Sequence, residues 1–541
     1  MITVMQFAKN TRSLRHGLVI LSLSALVLVS CSKENRLATH IPKDATGVLA
    51  FDVKSLAMKS LDFKELLSVE GVKKVFTDLD DSVSTALRNS GIDYMNKAYI
   101  FGKIEGENSG YGAAIVALTD ANKFEAFVKK ASKDVVITKE GSYSLATIED
   151  KSIIGWSETE LIVLVGTNDK EKLMAIANLK KEESLIATSE TFKDLEKQTA
   201  DIAWWMNFEG FQNFIPQTGM PGSNFNLKET FMMATCNFED GQVVVDTKYQ
   251  GNDEMLKKFN FIKNNVSNDV AGAMPGKTVI GMAGFGLDMD ALYQYLESEH
   301  LVEAMGAQAE QMLGLTPKEA FETFSGDIAA TVNGVSMKEV KRLNWSTGEE
   351  YTAQEPEFDY YALIGIAKKE NAVKILEQFV AQGMLTKTDN VYSFQDKVFI
   401  VEKGNAIAIT GSSALKDFAV SGSGEKLNGE LSGLLTSNAS SMYVNFTNIP
   451  STFYEGSNAS LGEHIGNIAV EEIVATSSAV KDKTSTGKLV VKFKNKSENS
   501  LLTITKIAKK YGDMIPTEPT FTEPAMDSTA VTEEPVVAIN E

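Results

Sequence analysis

An α+β fold in two tandem copies, each a largely antiparallel sheet with helices packed on it, is what the sequence predicts. Three observations predict it. Short runs of alternating apolar and polar residues are joined by hairpin-length turns, as at 230–238 and 242–250 around Gly241, where a positive φ is easy. Apolar residues at helical spacing fall between such runs without the regular strand–helix alternation of a parallel sheet. Past residue 270 the order of segments starts again.

In chain order, Val48–Val53 reads as a buried strand, followed by helical spacing through Leu56, Leu61, Phe63, Leu66 and Leu67, then Val72 to Leu87. Strands are predicted at about 97–104 and 111–118, then a helix from Asp120 with Phe124, Phe127 and Val128 on one side. Strands at 142–148, 152–157 and 161–166 come next, helices near 169–178 and 189–197, a strand at 201–208, and the long hairpin. The second copy opens at Pro275–Ala283 and its first helix begins with Leu292, Tyr293 and Leu296.

Pairs in the same order tie the copies together at separations near 240–250 residues. They are Tyr143-Ser144-Leu145 with Tyr392-Ser393-Phe394, Leu164 to Thr167 with Ile409 to Ser412, Asn207-Phe208 with Asn445-Phe446, and Ala234-Thr235 with Ala475-Thr476. Gly241 with Val243–Val245 is matched to Gly487 with Leu489–Val491. The boundaries predicted are 1–30 for a signal peptide, 31–40 for a linker, 41–270 and 271–512 for the copies, and 513–541 for an acidic Pro/Thr tail. Each copy is expected to carry its helices on one sheet face.

The N-terminus says where the chain works. Lys9, Arg12 and Arg15 precede an apolar run from Leu18 to Val29, the layout of a secretory signal. The run is short of the roughly 20 apolar residues a spanning helix needs. It ends in Leu28-Val29-Ser30-Cys31, a bacterial lipoprotein cleavage box, so Cys31 is the predicted lipid-bearing residue of the mature chain. Two or three acyl chains hold a protein on a membrane where one does not. The Ser32-Lys33-Glu34-Asn35 that follows resembles the surface-export signal of Bacteroidetes lipoproteins. An outer-membrane, lipid-anchored location is therefore expected, facing the periplasm or the cell surface.

A net charge of −19 repels nucleic acid and anionic headgroups, so nucleic acid is not an expected partner and membrane contact falls to the lipid. With Cys31 acylated, Cys236 is left single in an alternating segment, as a small buried hydrophobe.

The lipobox, the opening Ile41-Pro42-Lys43-Asp44-Ala45 and the repeated body of about 500 residues together resemble a known family. It is the uncharacterised Bacteroides-type lipoprotein family called domain of unknown function 4836. The resemblance implies envelope location and a duplicated architecture. It implies no activity, cofactor or site residue. Asp81-Ser82-Val83 and Asp527-Ser528-Thr529 likewise resemble the O-glycosylation acceptor of Bacteroidetes periplasmic proteins.

Catalytic patterns are present in spelling and weak in context. Ser413-Ala414-Leu415-Lys416 matches the S-x-x-K of penicillin-recognising enzymes, but its counterpart in the first copy holds Asn168 and Glu171, which points to a helix start. Glu297 and His300 lie three apart without the second such pair a bridged metal site needs, and Glu463-His464 lacks zinc-protease spacing. Gly281–Gly286 lacks both the P-loop and the dinucleotide fingerprint and reads as close backbone packing at the end of a strand. Close acids such as Asp80-Asp81 and Asp288-Met289-Asp290 are expected in so acidic a chain. No cofactor or metal is predicted.

One strand carries more. In Trp204-Trp205-Met206-Asn207-Phe208, Trp205 and Asn207 share a face, and its copy Met442 to Phe446 keeps Tyr443 and Asn445 there. Such a pair stacks and hydrogen-bonds sugars, or fills a covered sheet face, and the second reading is favoured. Trp205 and Tyr443 are the candidate ligand-binding residues. The function expected is a non-enzymatic binding or assembly module of the envelope with a protein or glycan partner. The alternatives are an envelope hydrolase of glycans or peptides with a cleft between the halves, and a glycan-binding protein.

Overall fold

Alternation at period two does produce hairpins, and the hairpins merge into one sheet. The computed structural model of the chain describes residues 36–60, 89–106, 109–132, 135–149, 151–214, 226–263, 265–344, 348–451, 453 and 469–511. The first ten strands are β1 (Gly47–Asp52), β2 (Lys97–Gly106), β3 (Ser109–Ala117), β4 (Ile137–Glu140), β5 (Tyr143–Glu149), β6 (Ser152–Trp156), β7 (Glu160–Val165), β8 (Ile202–Asn207), β9 (Phe231–Glu239) and β10 (Gln242–Gln250). The next ten are β11 (Gly281–Gly286), β12 (Phe324–Leu343), β13 (Glu350–Ile366), β14 (Thr386–Thr388), β15 (Val391–Phe394), β16 (Val398–Lys403), β17 (Ala406–Thr410), β18 (Ser440–Asn445), β19 (Val470–Ser477) and β20 (Thr484–Phe493).

Every pairing between these strands is antiparallel. In space the first ten run β4-β5-β6-β7-β3-β2-β1-β8-β9-β10. The last ten run β14-β15-β16-β17-β13-β12-β11-β18-β19-β20, the same order element for element. The two series meet where β10 pairs with β20 over nine registered pairs, Gln242 opposite Lys492 through Gln250 opposite Thr484. One open sheet thus runs through both halves, with β4 and β14 at its edges.

The registers locate the centre of this arrangement. Thr247 lies opposite Ala234 in the first hairpin and Leu489 opposite Ala475 in the second, so Asp246 and Lys488 hold corresponding positions. Those two residues face each other across β10 and β20, with Nζ and Oδ1 3.8 Å apart. A local two-fold axis therefore passes between them.

Helices cover both faces of the sheet, not the single face expected. Neighbouring residues of β3 and β7 enter different cores. Ala113, Ile115, Ile162 and Leu164 join one with Trp205, Leu173 and Phe192, while Ala114, Val116, Leu161 and Val163 join another with Phe124 and Trp156. Such continuous apolar runs are what a strand buried on both sides requires. The second half divides likewise, with Ala408 on the side of Tyr443, Phe418 and Leu435 and Ile407 on the side of Ala372 and Leu376.

Local rules hold helix by helix. Asp120 caps the helix Ala121–Ala131, accepting from the backbone N–H of Asn122 and Lys123, an arrangement worth about 1 kcal/mol. Its Phe124 then meets Trp156 edge-on, with ring centroids 5.5 Å apart. The buried carboxylate of Asp201 accepts from Ser55, Lys59 and the backbone of Phe238, tying the helix Val53–Ser60 to β8 and β9. The helix Ser500–Tyr511 packs on Val53–Ser60, β9 and β10, so a segment that follows the second half in sequence braces the first.

Three correspondences read from sequence shift. Gly281–Gly286 is the whole of β11 and not the end of a strand, because Met282 and Gly284 face a core that leaves little room, with Leu435 only 2.3 Å from where a Cβ on Gly284 would sit. Gly241 does turn the β9–β10 hairpin at φ 71°, but the β19–β20 turn is made by Asp482 and Lys483, both at positive φ, and Gly487 lies within β20. Leu164 and Ile409 occupy opposite faces, as do Tyr143 and Tyr392, because a register slip of one residue exchanges every side chain between faces. The halves also differ in one hairpin. β2–β3 closes at Gly106 and Ser109, whereas β12–β13 continues as a two-stranded arm to Leu343 and Glu350.

Candidate functional site

Between the helices Glu190–Glu196 and Gly429–Ser437, which lie over the same sheet face in the two halves, the strands β9, β10, β20 and β19 form the floor of a trough. Register alone gives its rows. Asn237, Val244, Val490, Val474 and Tyr443 lie opposite one another across the strands, flanked by Glu239, Gln242, Lys492, Glu472 and Asn445. The central row is Thr235, Asp246, Lys488, Thr476 and Ser441. Two hollows open on either side of it, one of about 700 Å³ at the Tyr443 end and one of about 420 Å³ at the other. Both fall within the range of ligand sites.

The local axis makes these hollows counterparts, and their linings differ. Thr486, Lys248, Met233 and Trp205 occupy the positions that Val244, Val490, Val474 and Tyr443 occupy at the larger end. The smaller hollow is rich in hydroxyl and amide groups, including Thr235, Thr476, Ser477, Ser478 and Gln198. The larger has an aliphatic floor and a charged rim.

The two aromatic candidates part company here. Trp205 is 1% exposed, its ring stacked at 5.8 Å on Phe231 and meeting Phe192 edge-on at 6.0 Å, with Nε1 donating to Thr191 at 2.9 Å. It fills the covered face, and no ring surface remains for a sugar. Tyr443 is buried too, but its edge lines the larger hollow. Its hydroxyl donates to Glu472 at 2.9 Å, and Asn445 Nδ2 donates back to that hydroxyl at 3.0 Å.

Lys492 completes the network at 2.9 Å from Glu472. Burial alone pushes the Glu472 carboxyl up, but the bonds from Lys492 and Tyr443 outweigh it and hold the group below the usual carboxylate range. Burial first, and the bond to Glu472 with it, pushes Tyr443 up to about 12. Glu472 is thus a fixed anion and not a proton donor, which suits binding better than general acid chemistry.

The remaining sequence candidates fall outside the trough. Ser413 opens the helix Ser413–Ser421, exposed, while the Lys416 ammonium lies 4.6 Å from the Phe399 ring centre. His300 sits at φ 57° between the helices Met289–Ser298 and Leu301–Leu313, in solvent, 3.6 Å from Glu303. Burial pushes the Cys236 thiol up, away from reactivity. Cys31, Asp80-Asp81, Ser82, His464 and Ser528 lie outside the described residues. Among the described residues no cluster of three His, Cys, Asp or Glu fit for a metal is found, and no helix is long and apolar enough to cross a membrane.

Sequence reasoning missed a second polar centre. Glu160 accepts from Arg36 at 3.0 Å and from Tyr143, and lies 3.3 Å from His40 Nε2, while His40 Nδ1 is 3.1 Å from the Ile176 carbonyl. Both ring nitrogens face acceptors, so both hydrogen bonds form only in the imidazolium. Burial opposes that charge, yet Glu160 and the Ile176 carbonyl win and His40 is raised above its ordinary 6.5. Glu160, despite its own burial, is held at about 2 by His40, Tyr143 and Arg36. This cluster pins the first described residues, Arg36–His40, to the body.

The sign of its pH dependence follows. The histidine's contribution is complete below 6.5 and is lost as pH rises through the raised value. The carboxylate's is complete above 4.5 and is lost as pH falls toward about 2. The stability difference between wild type and His40→Gln, measured by thermal unfolding from pH 5 to 8.5, is expected to be largest near pH 5–6 and to shrink above it. A difference constant across that range contradicts the assignment.

The fold and trough define a mixed helix-and-sheet protein built around one large open antiparallel sheet, with two hollows at the join. A family model described as domain of unknown function (DUF4836) matches residues 38–347, more than half of the chain, and the protein belongs to that family. No curated protein matches. Among solved structures, crystal form IV of TP0453 is similar at 11% identity and a TM-score of 0.27, covering 39% of this chain and 79% of that one. Crystal form I of TP0453 is similar at 10% identity and a TM-score of 0.26, covering 43% and 87%.

Proposed function

We propose that the protein is a tandemly duplicated, lipid-anchored module of the bacterial cell envelope that binds or assembles a partner in the trough, without catalysis. The observation that carries the binding role is the trough itself. Its floor comes half from each copy, its walls are corresponding helices, and its central ion pair lies on the local axis. Duplication is supported by the identical pairing order of the two strand series and by the collinear sequence pairs. Anchoring through Cys31 at the outer membrane is supported by the lipobox. On that reading four residues, Ser32 to Asn35, lie between the lipidated Cys31 and Arg36, which is held against the body by Glu160.

The test places a photo-crosslinking residue at Thr486, on the exposed trough floor, in intact cells. A reproducible adduct is expected there, absent with the same probe at Lys139 on the sheet edge and abolished by Lys488→Trp, which fills the trough. Equal adducts at both positions, or none at Thr486, contradict the reading.

A further inference from the structure

Resting on that reading, we propose that the larger hollow takes a peptide segment of a partner protein in which a lysine or arginine lies beside aliphatic side chains. The floor supplies the aliphatic half. Val244, Val490, Val474 and Tyr443 form one row across four strands, and Leu431 and Leu434 wall it from the helix above. The rim supplies the charge. Its three lysines are each matched by an acid, Lys488 by Asp246, Lys492 by Glu472 and Lys496 by Glu471. Glu239 and Glu430 are left over, with no lysine or arginine partner among the described residues. Glu430 stands near enough to Tyr443 and Lys492 for its charge to be felt at both.

The surplus is therefore two negative charges around an apolar strip, within a chain of net −19. A cation is drawn toward such a field, and an apolar body fits the floor. An anionic peptide meets repulsion on both counts. A sugar finds no exposed aromatic face to stack on, since Tyr443 as a residue is only 8% exposed and Trp205 is sealed at the counterpart position. The counterpart end, with Lys248 in place of Val490 and Thr486 in place of Val244, lacks the apolar strip, so one basic segment is bound per chain.

The test uses the whole mature chain and fluorescence anisotropy. Three probes are compared: a labelled peptide alternating leucine and lysine, the same peptide with glutamate for lysine, and a labelled neutral oligosaccharide. Saturable binding of the basic peptide alone is expected. It should weaken about tenfold in Glu239→Gln/Glu430→Gln, whose exposed side chains carry no part of the core, and with added salt. Val490→Lys, which gives this end the residue its counterpart carries, should abolish it. Equal binding of the acidic peptide, preference for the oligosaccharide, no binding of the basic peptide, or affinity unchanged in both variants overturns the proposal. If the basic peptide fails while Thr486 still crosslinks in cells, only the ligand class falls; absence of the Thr486 adduct overturns the trough reading itself.

Discussion

Thr247→Pro is expected to cost roughly 1–3 kcal/mol, the cost of leaving a buried ladder acceptor unpaired, and to split thermal unfolding into two transitions, the first half melting before the second. Thr247 sits in β10 between Ala234 of β9 and Gly487 of β20, so its backbone belongs to an interior strand on both sides. Proline removes a ladder donor there, and proline is otherwise confined to sheet edges and bulges. The junction is also tight at this point, with Thr247 Oγ1 only 2.6 Å from where a Cβ on Gly487 would lie. The second half keeps its own cores around Tyr361, Leu363 and Leu435, and around Leu376 and Tyr392, none of which includes β10. Calorimetry checks this. A single transition at the wild-type temperature would mean that β10 contributes nothing to the join.

Cys31→Ser is expected to move the protein wholly from the membrane fraction to the soluble fraction on the proposed anchor. The attached chains supply the membrane affinity, at about 0.8 kcal/mol per buried methylene, and two or more are needed for stable attachment. The net charge of −19 opposes anionic lipid, and no described helix is long and apolar enough to cross a membrane. Fractionation with fatty-acid labelling reads the result. A serine variant that still sediments with membranes, with no fatty acid on either the wild type or the variant, contradicts the anchor.

Local structure was legible in the sequence wherever one element decides it. Asp120 announced its helix, Gly241 its turn, and the alternation in β9 and β10 their hairpin, because caps, positive φ and period-two patterning act within a few residues. Trp205 and Tyr443 each sit opposite the second residue of the neighbouring strand, Val48 of β1 and Met282 of β11. The slip between Leu164 and Ile409 shows the limit. A shared glycine nearby suggested the wrong register, and a one-residue error is invisible until cross-strand partners are known.

The trough was hidden for a stronger reason. Its floor needs β10 beside β20, segments roughly 240 residues apart, and no local pattern encodes that pairing. Asp246, Lys488, Glu472 and Lys492 are polar residues of alternating strands, a pattern that any solvated sheet face shares. Only their opposition across strands makes them a rim. His40 was passed over similarly, because its partners Glu160 and Ile176 come from 120 and more residues away.

The continuity of the sheet through the two halves is tested most directly by hydrogen exchange of the β10 and β20 amides in the wild-type chain. Interior strands exchange only with large-scale unfolding. The account predicts that both strands exchange at the slow limit and lose protection together in Thr247→Pro. Rapid exchange along either strand in the wild type, as expected of a free sheet edge, would contradict it.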